Sequence, residues 1–351
     1  MKCTNPWKRL EQTPETKRIF KKVLSVVPNS EDNYSKLCGV DFLKNPLMIQ
    51  LDLFETLQRY LPEISGFEWL TCPCGSCAAC KQSNAQVWAD RLLMELPYVS
   101  APSSFVTVTY DDAHVPISYT LSPWTDRVEY CHPIQVRDFQ LFMKRLRRYI
   151  KDPGLRFLAS AEYGGRFHRP HFHVALIGYA PTDLTFYKRD HGHDYFSSEV
   201  LTSIWGKGFT VTTALTPGSG AYVARYMTEK WDGRDYRLYS VEAASRGLDP
   251  LPKQRLIMSR RPGLGRRYLE EHRDAVLRDD LIVPCRGSAG ARTVPAFRYA
   301  LSTIDEMEVE ALKDRRAIRA ERPPETDQTL VEQASDLAAR LRRRAKSRNA
   351  F

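Results

Sequence analysis

Residues 171–179 read HFHVALIGY. On an extended chain successive side chains point to opposite faces, so His171, His173, Ala175 and Ile177 share one face and Phe172, Val174 and Leu176 the other. The segment RFLASAEYG (156–164) lies just upstream across a short loop and has the same strand character. FVTVTYDD (105–112) is the clearest strand of the chain: Phe105, Thr107 and Thr109 alternate with Val106, Val108 and Tyr110, and β-branched residues dominate. Between these strands PIQVRDFQLFMKRLRRYI (133–150) sets Val136, Phe139, Met143, Leu146 and Ile150 at steps of three and four. That spacing predicts a helix packed by one face, with Lys144, Arg145, Arg147 and Arg148 flanking the stripe. GKGFTVTTAL (206–215) reads as a further strand, and PGSG then introduces the helical pattern AYVARYMTEK (221–230). Strand, helix, strand, strand and helix in this order predict an α+β fold with a central antiparallel sheet covered by helices.

The rest of the chain constrains less. The 351 residues suffice for one large domain or two smaller ones. The first 70 residues hold mixed apolar runs such as FLKNPLMIQLDLFETLQRYL (42–61), read as short helices, and QVWADRLLMEL (86–96) has helical spacing. Residues 255–272 join a basic Gly/Pro turn to a helix, and from about 303 the pattern is heavily charged and helical, ending in RLRRRAKSR (340–348). That tail suits either phosphate contact or a solvated end. The expected divisions are an N-terminal helical region (1–100), a core (101–240), a basic extension (241–302) and a charged tail (303–351). No segment approaches a membrane span, and the N-terminus lacks the apolar centre of a secretory signal. Lys and Arg exceed Asp and Glu by 52 to 42, a net charge of +10 that favours polyanionic partners, nucleic acid or an acidic membrane surface.

Three groups of residues carry chemistry. His171 and His173 point the same way on a strand and can converge on one ion; Glu162 joins them if the two strands pair as a hairpin. A carboxylate beside two imidazoles makes the site harder and suits Mg²⁺ or Mn²⁺. The alternatives are zinc, or histidines that merely face solvent along an edge strand while Glu162 pairs with Arg166 or Arg169. The second group is Tyr222, Tyr226 and Lys230, at i, i+4 and i+8 on one helical face. Either they pack on the sheet as a stripe, or they are phenols placed to attack a metal-bound phosphate in two sequential transesterifications. The third is CPCGSCAAC (72–80), whose Cys72, Cys74, Cys77 and Cys80 fall within nine residues. In a long chain without a signal that density fits thiolates on a metal better than disulfides, with reduced buried cysteines as the alternative.

Taken in order, these motifs resemble those of the HUH rolling-circle replication initiators, above all the initiator proteins of small single-stranded DNA phages of the microvirus and gokushovirus type. FVTVTYDD resembles the first initiator motif, HRPHFHVAL (168–176) the HUH motif, and YVARYMTEK (222–230) the two-tyrosine motif; AEYG (161–164) is similar to the segment supplying an acidic third ligand, and SRRPGLG (259–265) to a downstream Gly-rich segment. The resemblance, over roughly residues 70–265, implies His171, His173 and Glu162 as ligands of Mg²⁺ or Mn²⁺. It implies Tyr222 and Tyr226 as nucleophiles, with Lys230 stabilising phenolate or phosphate. It also implies a structural zinc on Cys3, Cys74, Cys77 and Cys80, with Cys72 as a further candidate.

The expected activity is nicking of an origin strand through a 5′-phosphotyrosine link, followed by rejoining, in the host bacterial cytoplasm. Origin DNA is the expected partner, contacted by Lys144, Arg145, Arg147, Arg148, His168, Arg169, Arg260 and Arg261. No GxxxxGKS/T sequence is present, which points to a host helicase and polymerase. A two-tyrosine transposase or plasmid initiator shares this chemistry, and a zinc-stabilised DNA-binding protein without catalysis is the alternative from another class. A zinc hydrolase would leave the tyrosines unused.

Overall fold

The structure is a computed structural model that describes residues 7–10, 47–50, 70–73, 77–190, 192–215, 233–284 and 291–320. The chain divides into two compact units, Met1–Ser83 with Pro324–Phe351, and Asn84–Pro323. In the first, strands β1 (Trp7–Leu10), β2 (Leu47–Gln50) and β3 (Leu70–Cys72) form an antiparallel sheet in the order β2-β1-β3. At 47–50 this corrects the expectation of short helices, and the rest of 42–61 lies outside the described residues. A four-residue apolar run has no readable period, and Leu47–Gln50 becomes a strand because distant Trp7–Leu10 pairs with it.

The second unit is built on a seven-stranded sheet. Its strands are β4 (Ser104–Tyr110), β7 (Arg156–Tyr163), β8 (Pro170–Ile177), β9 (Leu184–Asp190), β10 (His193–Ser198), β11 (Gly208–Ala214) and β12 (Arg255–Met258), in the order β12-β7-β8-β4-β11-β10-β9. Every neighbouring pair is antiparallel. The α+β class read from the sequence therefore holds. β8 is an interior strand flanked by β7 and β4, which replaces the picture of histidines along an exposed edge. A separate hairpin, β5 (Ser118–Leu121) and β6 (Val128–Cys131), follows β4.

Ahead of the sheet lies helix α1 (Ala78–Leu93), and one face of the sheet is sealed by α2 (Val136–Ile150) and α3 (Glu199–Trp205). Phe139, Phe142, Met143 and Leu146 of α2 and Leu201 and Trp205 of α3 are buried with Val106, Val108 and Tyr110 of β4 and Phe172, Val174 and Leu176 of β8. Phe142 is a core residue that the three-and-four stripe passed over. Arg145 donates to the Ile204 and Trp205 carbonyls at 2.7 and 2.8 Å, closing the end of α3, and Arg147 donates to the Leu155 carbonyl at 2.8 Å. The helix thus uses part of its basic flank structurally.

On the opposite face Ala175 and Ile177 of β8, Leu158 of β7 and Phe105 of β4 are buried with Leu92 of α1 and Leu264. The cover near Leu264 is the Gly-rich segment 259–265. Glu95 holds it in place, accepting from Arg156 Nε at 2.8 Å and from the Gly265 amide at 2.5 Å, while Arg91 Nε donates to the Leu264 carbonyl at 3.0 Å. Gly263 lies against Tyr299, whose hydroxyl would stand 2.2 Å from an added Cβ. The remaining elements are α4 (Gly233–Ser245), α5 (Arg266–Glu271), α6 (Arg273–Arg278), the hairpin β13 (Leu281–Pro284) and β14 (Ala291–Val294), α7 (Arg298–Leu301) and α8 (Glu306–Ala320). Leu269, Val276, Leu281, Val283, Ala300 and Leu312 pack the elements from α5 onward into a second core, which Leu93 and Met94 at the end of α1 join. Among the described residues no helix is long and apolar enough to cross a membrane.

Gly208 opens β11 at φ +145°, where a Cβ would meet the Thr109 carbonyl oxygen at 2.2 Å and the Asp111 amide nitrogen at 2.5 Å. Both contacts are backbone, so neither can swing aside. Gly208→Ala is therefore expected to cost at least ~3 kcal/mol of stability, read as a lower urea midpoint with unchanged slope.

Candidate metal centre and active site

Strand pairing builds the site. In the β7–β8 register Glu162 stands opposite His171 and Ser160 opposite His173, and in the β4–β8 register Thr109 stands opposite His171 and Thr107 opposite His173. All these side chains occupy the face away from α2, beyond the apolar cover over Ala175 and Ile177. One ligand atom from each of Glu162, His171 and His173 lies within 4.8 Å of the others. Glu162 and His173 are buried, and His171 is half-buried.

The rings are oriented by their other nitrogens. His171 Nδ1 lies 3.2 Å from the Arg169 carbonyl oxygen, which can only accept, so Nδ1 carries the proton and Nε2 the lone pair. His173 Nδ1 lies 2.9 Å from the Thr107 hydroxyl, and the two Nε2 atoms stand 3.1 Å apart. Two lone pairs at that separation repel unless a proton or a cation lies between them. Either His173 Nε2–H donates to His171, or the Thr107 hydroxyl accepts from His173 Nδ1 and both Nε2 lone pairs face a cation. Burial pushes the His171 imidazole below its usual pKa and so favours the neutral, ligating ring, while the Arg169 hydrogen bond opposes this shift in part. Two neutral imidazoles and a carboxylate form a donor set that fits a divalent ion. The Phe105 ring stacks near His173, at 5.7 Å between centroids, where the apolar cover meets the polar end.

Other predicted site residues are placed as follows. His168, in the loop between β7 and β8, adopts φ +50° and stacks flat on Trp124 at 3.8 Å. Arg169 donates to the Tyr110 carbonyl at 2.8 Å and pairs with Asp112, while Arg166 lies over the Phe167 ring. Lys144, Arg145, Arg147 and Arg148 belong to α2, on the sheet face away from Glu162, His171 and His173. Arg260 and Arg261 are exposed in the segment 259–265, which leaves the sheet at the Arg156 end of β7, the far end from Glu162. Cys77 precedes α1 and Cys80 lies in its first turn, the latter buried. Cys72 is in β3; Cys3 and Cys74 lie outside the described residues, as do Tyr222, Tyr226 and Lys230. Thr107 was not singled out by sequence reasoning as a partner of the site. Its signal was a hydroxyl on the same strand face as the histidines.

Residues 103–231 match the family model of the ORF2-type replication-associated proteins. That span runs from β4 through Tyr222 and Tyr226. The chain is also 28% identical over 258 residues to replication-associated protein ORF2 of Spiroplasma virus 4, covering 71% of this chain and 74% of that one. The chain is similar to replication-associated proteins of phages. Replication-associated protein VP4 of Bdellovibrio phage phiMH2K is 25% identical over 260 residues, 71% of each chain, and replication-associated protein ORF4 of Chlamydia phage 1 is 28% identical over 167 residues, 45% of this chain and 38% of that one. No solved structure matches this chain.

Proposed function

We propose that the protein initiates rolling-circle replication of a small phage genome by nicking one strand of its origin and later rejoining it. The observation that supports this most is the buried Glu162, His171 and His173 set on paired strands, within a segment that matches replication-associated proteins. These residues would hold Mg²⁺ or Mn²⁺, which when bound polarises a phosphate and offsets charge on its oxygens. Thr107 and the Arg169 carbonyl fix the two rings so that both Nε2 atoms face the same point.

In the proposed reaction the phenol oxygen of Tyr222 or Tyr226 attacks the scissile phosphorus. A P–O bond to tyrosine forms as the phenol gives up its proton, the P–O3′ bond breaks, and the departing 3′ oxygen takes up a proton in its place to become the 3′-OH that primes synthesis. Lys230 stabilises the phenolate or the phosphate charge. The link conserves the energy of the phosphodiester; the second tyrosine repeats the exchange at the regenerated origin and frees the 3′-OH of the displaced strand, which attacks the first 5′-phosphotyrosine, forming the closing P–O3′ bond and returning the first tyrosine as its phenol. A structural zinc on cysteines drawn from Cys3, Cys72, Cys74, Cys77 and Cys80 belongs to the same proposal. So do a host helicase and polymerase and action in the bacterial cytoplasm.

The test is incubation of the full chain with labelled single-stranded origin DNA and Mn²⁺, followed by a denaturing gel and peptide mapping. A covalent adduct mapping to Tyr222 or Tyr226, and lost in the double Phe variant, is the expected result. No adduct, or one that survives the double substitution, overturns the mechanism.

A further inference from the structure

Strand pairing sets four residues in line across the sheet: Glu162 of β7, His171 of β8, Thr109 of β4 and Phe209 of β11. Residues paired directly on antiparallel strands share a face, so Phe209 projects on the side that carries Glu162, His171 and His173. It stands two strands from His171, about 10 Å at the usual strand spacing. The apolar cover of this face lies elsewhere. Leu158, Ala175 and Phe105, buried with Leu92 of α1 and Leu264, form a separate row four residues further along the strands.

β11 inverts the usual division of side chains. Thr210 and Thr212 point to the α2 and α3 side and are buried, the Thr210 hydroxyl 2.9 Å from that of Thr202 in α3, whereas Phe209 is 51% exposed. Its ring makes no aromatic or cation contact among the described residues. A strand that buries hydroxyls and shows a phenyl ring to solvent has a use for that ring outside the fold. Gly208 fixes where the ring stands: β11 runs so close to β4 here that a Cβ would meet the Thr109 carbonyl oxygen at 2.2 Å. At the same end of the sheet Arg169, held on the Tyr110 carbonyl next to Thr109, adds a cation.

We infer that Phe209 is a stacking platform for one base of a single strand, that of a nucleotide beside the phosphate held at Glu162, His171 and His173. A flat apolar ring in line with a phosphate site suits any base, since every base has a π-face, and the stack sets which phosphate lies over the site. The inference rests on the nicking proposal for the phosphate it positions, and on single-strand binding alone for the stack itself.

The test is fluorescence anisotropy with the full chain in EDTA, where binding is read without cleavage. The probes are a labelled dT strand of about twelve nucleotides and an abasic deoxyribose-phosphate strand of equal length. The wild-type chain is expected to prefer the dT strand by roughly tenfold. Phe209→Leu should lose most of that preference with little change on the abasic strand, and Phe209→Trp should retain it. The control is Phe186→Leu. Phe186 is 60% exposed but faces the α2 side, through the pairing of Phe186 with Phe196, Phe196 with Thr212 and Thr212 with Val106, so the preference should stand. A strand carrying iodouracil in place of thymine should, on irradiation, cross-link to the peptide that contains Phe209, which a merely structural role would not produce. A wild-type ratio near one, a ratio that survives Phe209→Leu, an equal fall with Phe186→Leu, or cross-links confined to other peptides overturns the inference. A parallel arm with Mn²⁺ and origin DNA separates the two proposals. Adduct formation with a ratio indifferent to Phe209 overturns the platform alone, and a ratio that depends on Phe209 without any adduct overturns nicking alone.

Discussion

A chain carrying His171→Ala is expected to nick origin DNA about 10³-fold more slowly than the wild type, a loss of the size seen when a principal electrostatic stabiliser is removed. His171 supplies one of the two Nε2 atoms that stand 3.1 Å apart, and its other nitrogen is fixed on the Arg169 carbonyl. Without it, one imidazole and one carboxylate remain on the paired strands. Mn²⁺ affinity, measured by calorimetry on the DNA-free chain, should fall in parallel, while affinity for single-stranded DNA in EDTA should change by less than about threefold. The side chain lies on the face away from the α2 core, so the unfolding midpoint should hardly move. Nicking at the wild-type rate, or unchanged Mn²⁺ affinity, would remove His171 from the ligand set.

Phe172→Ala should do the reverse. Phe172 sits between the two histidines in sequence but on the other face, fully buried, with its ring 5.1 Å from Phe139 and 6.2 Å from Trp205. Truncation leaves a cavity under α2 and α3, at a cost of ~4 kcal/mol in a domain whose total stability is ~5–15 kcal/mol. Phe172→Leu should stay within ~1.5 kcal/mol. Urea denaturation followed by circular dichroism gives both values. A loss below ~1 kcal/mol for the alanine variant would mean that the α2 face is not packed as described. The adjacent substitutions thus separate chemistry from folding by strand face.

The central sheet was legible where period and burial agree. Residues 105–110, 156–163 and 171–177 alternate because one face packs under α2 and α3, and 136–150 keeps a helical stripe because it supplies that cover. β9 was not legible: its residues Leu184–Arg189 are all exposed, so no side-chain contrast marks it as a strand. Helix α3 is seven residues long, too short for its period to show, and its sequence sign was the Ser198 cap that accepts from the Leu201 amide. In the candidate site, the convergence of Glu162 with His171 followed from a hairpin that the sequence suggested and the register supplies. The Thr107 contact with His173 arises between segments far apart in the chain, beyond the reach of a local pattern.

The alternation along β8 also limits how this strand can change over evolutionary time. Inserting or deleting one residue within Pro170–Ile177 would turn the phenyl group toward the face of Glu162 and the imidazoles into the core under α2, disrupting both faces in one event. Length variation among relatives should therefore collect in the loops at 164–169 and 178–183, while the strand itself tolerates substitution only. The unit that selection can act on here is the pair of residues, one from each face.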